Sequence, residues 1–154
     1  MAVAVATRFK VNRKRNLPRF LYGSLVATLQ ARRSPGFLAG QLRRDPGGAY
    51  WTLTLWQSGP DMVGFRDSGV HAVLVPRLAE WAGEAVLGVW NADDSALPSW
   101  DEVNRRVAEH PRFTTLDEPG PAHLARRFDP AHRFGLVAPI PRVRRSTAAR
   151  QVAR

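Results

Sequence analysis

Three groups of side chains in this 154-residue chain have types and spacing that could do chemistry. The first is His71, which follows Ser68-Gly69-Val70 inside a stretch of helical periodicity. An imidazole can act as a base near neutral pH. A glycine inside a helix weakens it by roughly 1 kcal/mol relative to alanine, so the chain tolerates a defect where the ring emerges. Such a break can tilt the imidazole towards a cavity. It can also leave the imidazole simply hydrogen-bonding the interrupted helix end. The second group is Tyr50, Thr52, Thr54 and Trp56, four alternate positions that share one face if the segment is a strand. Aromatic walls with a few hydroxyls suit a dry pocket that holds a phenolate or enolate, and they suit an interface equally well. The third is Arg8 with Lys10, two cations on one side of a strand. If that side is interior, they need an anion: an acidic substrate, a deprotonated phenol or a haem propionate.

Other chemistries are excluded or unsupported. The chain has no cysteine, hence no disulfide, thiolate metal site or catalytic thiol. His110, His123 and His132 have no ligand spacing with carboxylates and read as surface residues. Gly47 and Gly48 serve a turn, no phosphate-binding loop is present, and no Ser-His-Asp arrangement can be assembled.

These groups must be positioned by a regular alternation of elements. Thr7, Phe9 and Val11 alternate with polar residues, which predicts a strand over 6–12. Asn16 offers an N-cap, Pro18 suits a first turn, and Leu17, Phe20, Leu21, Leu25 and Leu29 keep helical spacing to about residue 33. Strands over 37–44 and 49–56 flank Asp45-Pro46-Gly47-Gly48, which predicts an antiparallel hairpin. A second helix starts after Ser58, falters at Ser68-Gly69, resumes to about residue 82, and carries Pro76 as a kink or restart. A fourth strand spans 85–91. The order is that of the ferredoxin-like βαββαβ fold, with strands one and three central. On the third strand we expect Trp51, Leu53 and Leu55 to meet the helices, and the Tyr50, Thr52, Thr54 and Trp56 face to meet a partner sheet or a ligand.

Beyond this core, Ser99-Trp100-Asp101-Glu102 is a capping box for a helix over 99–109, and 112–116 could add a fifth strand. Residues 1–116 are thus expected to form one ferredoxin-like α+β domain with the added helix over 99–109. Residues 117–154 read as an irregular Pro/Arg-rich segment, with 117–141 a surface coil arm and 142–154 a disordered basic tail. The net charge of +10 is concentrated: six basic residues lie between Arg8 and Arg19 and five between Arg142 and Arg154. With no recognition motif beside it, this charge does not make nucleic acid an expected partner. The apolar start lacks a basic region ahead of it and is too short for a signal peptide. No apolar run approaches the roughly 20 residues of a membrane span, so a cytoplasmic location is expected.

The stretch Trp51-Thr-Leu-Thr-Leu-Trp56-Gln-Ser58, with Phe65, Ser68-Gly69-Val70-His71 and Glu80-Trp81, resembles the antibiotic biosynthesis monooxygenase superfamily. It is most similar to the spheroidene-monooxygenase-like and DUF3291 branches, over residues 5–92. The resemblance implies a homodimer in which two sheets close an α+β barrel, each protomer holding a pocket between sheet and helices. That superfamily includes cofactor-free oxygenases of polycyclic aromatic substrates, haem-binding and haem-degrading proteins, and isomerases. By resemblance, His71 is the catalytic group or a haem axial ligand. Tyr50, Thr52, Thr54, Trp56, Phe65, Arg8 and Lys10 would contact substrate. The expected function is a small monooxygenase-like enzyme for a hydrophobic aromatic or polyene metabolite, cofactor-free or haem-dependent. The alternative is a non-enzymatic ligand-binding or structural dimer. A cavity of some hundreds of cubic ångströms beside His71 would favour the enzyme.

Overall fold

The structure is a computed structural model and describes residues 1–94, 96–130 and 136–143. Its centre is a six-stranded antiparallel sheet in the order β5 (Arg112–Phe113), β4 (Ala82–Ala92), β1 (Ala2–Val11), β3 (Tyr50–Trp56), β2 (Phe37–Arg44), β6 (Leu136–Ile140). Strand β1 (Ala2–Val11) begins earlier than the alternation predicts. Its first residues, Ala2 to Ala6, are apolar at every position, as suits a central strand covered on both faces. A 3-10 turn, Lys14–Asn16, leads into α1 (Leu17–Arg33). Asn16 makes no capping bond to the helix; its side-chain amide donates instead to Asn12 Oδ1 at 2.9 Å. Gly36, at φ +72°, then turns the chain into β2 (Phe37–Arg44).

The hairpin to β3 (Tyr50–Trp56) is closed by Asp45. One carboxylate oxygen accepts the Ala49 N–H at 2.9 Å and the other the Trp51 indole N–H at 3.1 Å. The broken helix is two helices, α2 (Gly59–Arg66), capped by Ser58, and α3 (Gly69–Trp81), which carries Pro76 without ending there. Strand β4 (Ala82–Ala92) returns beside β1, so β1 and β3 are central, as the βαββαβ order predicts. Ser99 accepts the Glu102 N–H at 3.2 Å and starts α4 (Trp100–Glu109). Strand β5 is only Arg112–Phe113, shorter than the 112–116 predicted.

Two expectations are corrected. The faces of β3 are reversed. Phe65 of α2 stacks on Trp56, and Phe20 of α1 meets the Tyr50 ring at 5.3 Å, so the Tyr50, Thr52, Thr54, Trp56 face looks at α1–α3. Trp51 and Leu53 instead pack under Val103 and Val107 of α4, with Trp100 edge-on to Trp51 at 6.1 Å. Both alternate sets of β3 are rich in large apolar groups, and α4 supplies a second helical cover that the more apolar set takes. Both faces of the sheet are therefore covered within one chain.

The second correction concerns 117–141, expected as surface coil. It contains α5 (Pro121–Leu124) and β6 (Leu136–Ile140), which pairs antiparallel with β2. Ile140 is buried with Ala31, Phe37 and Trp56. Pro139 is compatible with β6 because this is an edge strand. Arg142 and Val143 have no regular structure, and the remainder of the tail, 144–154, lies outside the described residues. No helix among the described residues is long and apolar enough to cross a membrane.

Candidate functional site between sheet and helices

The two faces of the central strands are sealed to different degrees. On the α4 side Ala4, Ala6, Leu53, Leu55 and Val86 are closed to solvent. On the α1–α3 side Val5, Thr7, Tyr50, Thr52, Leu87 and Val89 are only half-buried, although a layer of helices lies over them. Thr7 pairs with Thr52 on one side and Leu87 on the other, and Val5 with Thr54 and Val89, so these residues form one continuous floor. Among the described residues, the Thr7 and Thr52 hydroxyls have no hydrogen-bond partner in the protein. Thr54 is committed: it accepts the Trp56 indole N–H at 3.0 Å and donates to the Val5 carbonyl at 3.5 Å.

An aromatic line rises from this floor to His71. Phe37 meets Trp56 edge-on at 5.3 Å, Trp56 stacks on Phe65 at 4.9 Å, and Phe65 lies 4.5 Å from the His71 ring. His71 sits in the first turn of α3, where Gly69 (φ +55°) changes the chain direction. Its Nδ1 is 3.0 Å from the Arg66 carbonyl. A carbonyl only accepts, so Nδ1 carries the proton and Nε2 keeps its lone pair. Burial holds the imidazole below its usual pKa of 6.5, against a smaller upward pull from the Arg66 carbonyl, so the ring is neutral at pH 7.

Gln30 of α1 fixes this junction, a role that no local motif marks. Its amide N–H donates to the Ser68 carbonyl at 2.9 Å, and its Oε1 accepts the His71 N–H at 2.9 Å. A Cβ at Gly69 would come within 3.0 Å of the Gln30 amide, in a backbone conformation that L residues rarely adopt. The break in the helix is therefore bound to α1 and held in one place.

Arg8 and Lys10 lie on the opposite face, away from His71. Arg8 is 4% exposed. Its Nη1 donates to Glu84 Oε2 at 2.5 Å, and Nε lies 4.0 Å from Asp45 Oδ2. The rings of Trp51 and Phe128 flank the guanidinium at 6.0 Å each. Lys10 is half-exposed, 3.9 Å from the other Glu84 oxygen. The anions these cations need come from the chain itself. A cleft of about 490 Å3 opens here, lined by Arg8, Lys10, Asp45, Glu84, Arg127 and Phe128 among others. A second cleft, about 300 Å3, shares Lys10 and Glu84. Neither cleft reaches His71.

His123, expected on the surface, is buried. Its Nδ1 accepts the Ala85 N–H at 3.3 Å and its Nε2 donates to the Thr114 carbonyl at 2.8 Å, so it ties α5 to β4. His110 is exposed, and His132 lies outside the described residues. No three His, Asp or Glu side chains among the described residues converge as metal ligands. For haem, the His71 tautomer would suit a ligating Nε2. Phe65 lies 4.5 Å from the imidazole, and neither described cleft borders it.

No family model matches the sequence, and no curated protein matches it. Solved structures do. SnoaB, a cofactor-independent oxygenase from Streptomyces nogalater, is 18% identical at a TM-score of 0.52, over 64% of this chain and 98% of that one. Rv0793 from Mycobacterium tuberculosis is 18% identical at a TM-score of 0.57, over 62% and 99%. A Nitrosomonas europaea protein assigned as an antibiotic biosynthesis monooxygenase is 11% identical at a TM-score of 0.53, over 59% and 89%. At such identities the likeness shows the fold, and the fold is that of the antibiotic biosynthesis monooxygenase-like proteins, as the sequence resemblance implies. Nearly the whole of each of those chains corresponds to about three-fifths of this one, a share close to that of β1–β4.

Proposed function

We propose that this chain is a cofactor-free, monooxygenase-like enzyme acting on a hydrophobic aromatic or polyene metabolite held between the sheet and α1–α3. One observation carries the reading: Thr7, Thr52, Leu87 and Val89 stay half-buried under the helices, while Ala4, Ala6, Leu53, Leu55 and Val86 behind them are closed to solvent. The unpaired hydroxyls of Thr7 and Thr52 would orient an oxygen of the substrate, and Phe65 and Tyr50 would flank its rings.

His71 is the base in this reading. With Nδ1–H fixed on Arg66, the neutral ring accepts a substrate proton at Nε2. The carbanion gives its electrons to dioxygen. One oxygen atom enters the product as a carbonyl in place of two hydrogens, and the other leaves as water, so no external reductant is needed. In this reading the single protomer is the catalytic unit, since α4 lies over Trp51 and Leu53 on the face where a second sheet would pack.

A second, non-enzymatic reading rests on the same His71 bonds, which would stabilise the α2–α3 junction even without turnover. Oxygen uptake with a hydroxylated anthrone as probe separates the two. We expect uptake by the native protein and its loss in His71→Ala, with probe binding retained. Binding without uptake in the native protein supports the second reading and overturns the first.

A further inference from the structure

We propose that the outer face of α1 and α3 docks on an anionic lipid surface. This inference stands apart from the reaction proposed above. Residues 13–33 carry Arg13, Lys14, Arg15, Arg19, Arg32 and Arg33 and not one acidic residue. Arg13 pairs with Glu118, and none of the other five has a carboxylate partner among the described residues.

The same face shows large apolar groups to solvent. Tyr22 is 72% exposed and Leu25 56% on α1, and Val73 is 69% exposed on α3. Helix geometry puts them together. Leu21, Tyr22 and Leu25 fall within an arc of about 100°, opposite Phe20 and Ala31, which are buried. Gly23 of α1 faces Leu74 of α3, and Gln30 faces Gly69, so the helices pack antiparallel. With Leu74 turned to α1 and His71 turned to Phe65, Val73 of α3 is left 69% exposed.

Charge decides among occupants. A second copy would bring the same uncompensated cations to the contact, where like charges repel. Nucleic acid would satisfy the arginines and leave the aliphatic side chains without a partner. The headgroup region of an anionic bilayer accepts both, the cations at the phosphates and the apolar side chains at the acyl boundary.

The test is sedimentation of the full chain with vesicles of phosphatidylcholine, alone and with added phosphatidylglycerol. We expect binding only with phosphatidylglycerol, weakening as salt rises. Arg15→Glu with Arg19→Glu should lower vesicle affinity roughly tenfold or more. Tyr22→Asp with Leu25→Asp should lower it too, with circular dichroism unchanged, since both side chains are exposed. Arg105→Glu, a charge reversal of an exposed arginine on α4, should leave it intact. Equal binding to both vesicles, no binding to either, or an equal loss in Arg105→Glu overturns the proposal. So does tighter binding to duplex DNA than to vesicles, or a dimer that Leu25→Asp dissolves.

Discussion

The side-chain carbonyl of Gln30 accepts the backbone N–H of His71 at 2.9 Å, so a residue of α1 sets where the candidate base stands. The same amide donates to Ser68 across the helix break. Replacing Gln30 by Ala leaves these groups without a protein partner. We expect a stability loss of about 1–3 kcal/mol in urea denaturation, and a fall in turnover beyond what unfolding explains. Unchanged stability would mean that water replaces the amide at no cost.

The pH dependence of stability follows from His71. Burial lowers its pKa in the folded state, so the unfolded chain binds the proton more readily. Its contribution is therefore complete above the unfolded value of about 6.5 and is lost as pH falls from there towards the lower folded pKa. We expect the melting temperature of the native protein to fall across that window more steeply than that of His71→Asn. Parallel curves would contradict the buried neutral ring. The adjacent Arg66 and Asp67 exert opposite, smaller influences on the imidazole.

Glu84 is the main counter-ion of a buried arginine. Glu84→Gln leaves Arg8 with only the more distant Asp45, and should cost about 3–5 kcal/mol, towards the lower end because the cleft admits water. A loss under about 1 kcal/mol in denaturant unfolding would show that solvent alone satisfies the guanidinium.

Light scattering should give the protomer mass, because α4 covers the face on which a second sheet would close a barrel. A dimer mass that persists when residues on the outer face of α1 are replaced would contradict this.

The core was legible because its signals are local: alternation in β1, the Asp45–Gly48 turn, helical spacing in α1, and the Ser99 capping box. What was not legible depends on pairing. Both alternate sets of β3 carry tryptophan, so neither marks itself as the helix side until α4 is placed over Trp51. Glu84 meets Lys10 only through the register of β1 with β4. Strand β6 is five residues long and carries Pro139, so it reads as loop until β2 offers an edge. Gln30 resembles any polar residue on a helix. At the candidate site the aromatic and hydroxyl positions were visible, but their direction was not. Arg8 and Lys10, which the resemblance assigns to substrate contact, lie across the sheet from His71.

Backbone amide chemical shifts during titration with the anthrone probe locate the site most directly. We expect the largest changes at Thr7, Thr52, Leu87, Val89, Phe65 and His71, with Arg8 and Glu84 unmoved. Changes concentrated at Arg8, Lys10, Glu84 and Phe128 would place the ligand in the cleft on the other face, and would contradict a site between the sheet and α1–α3.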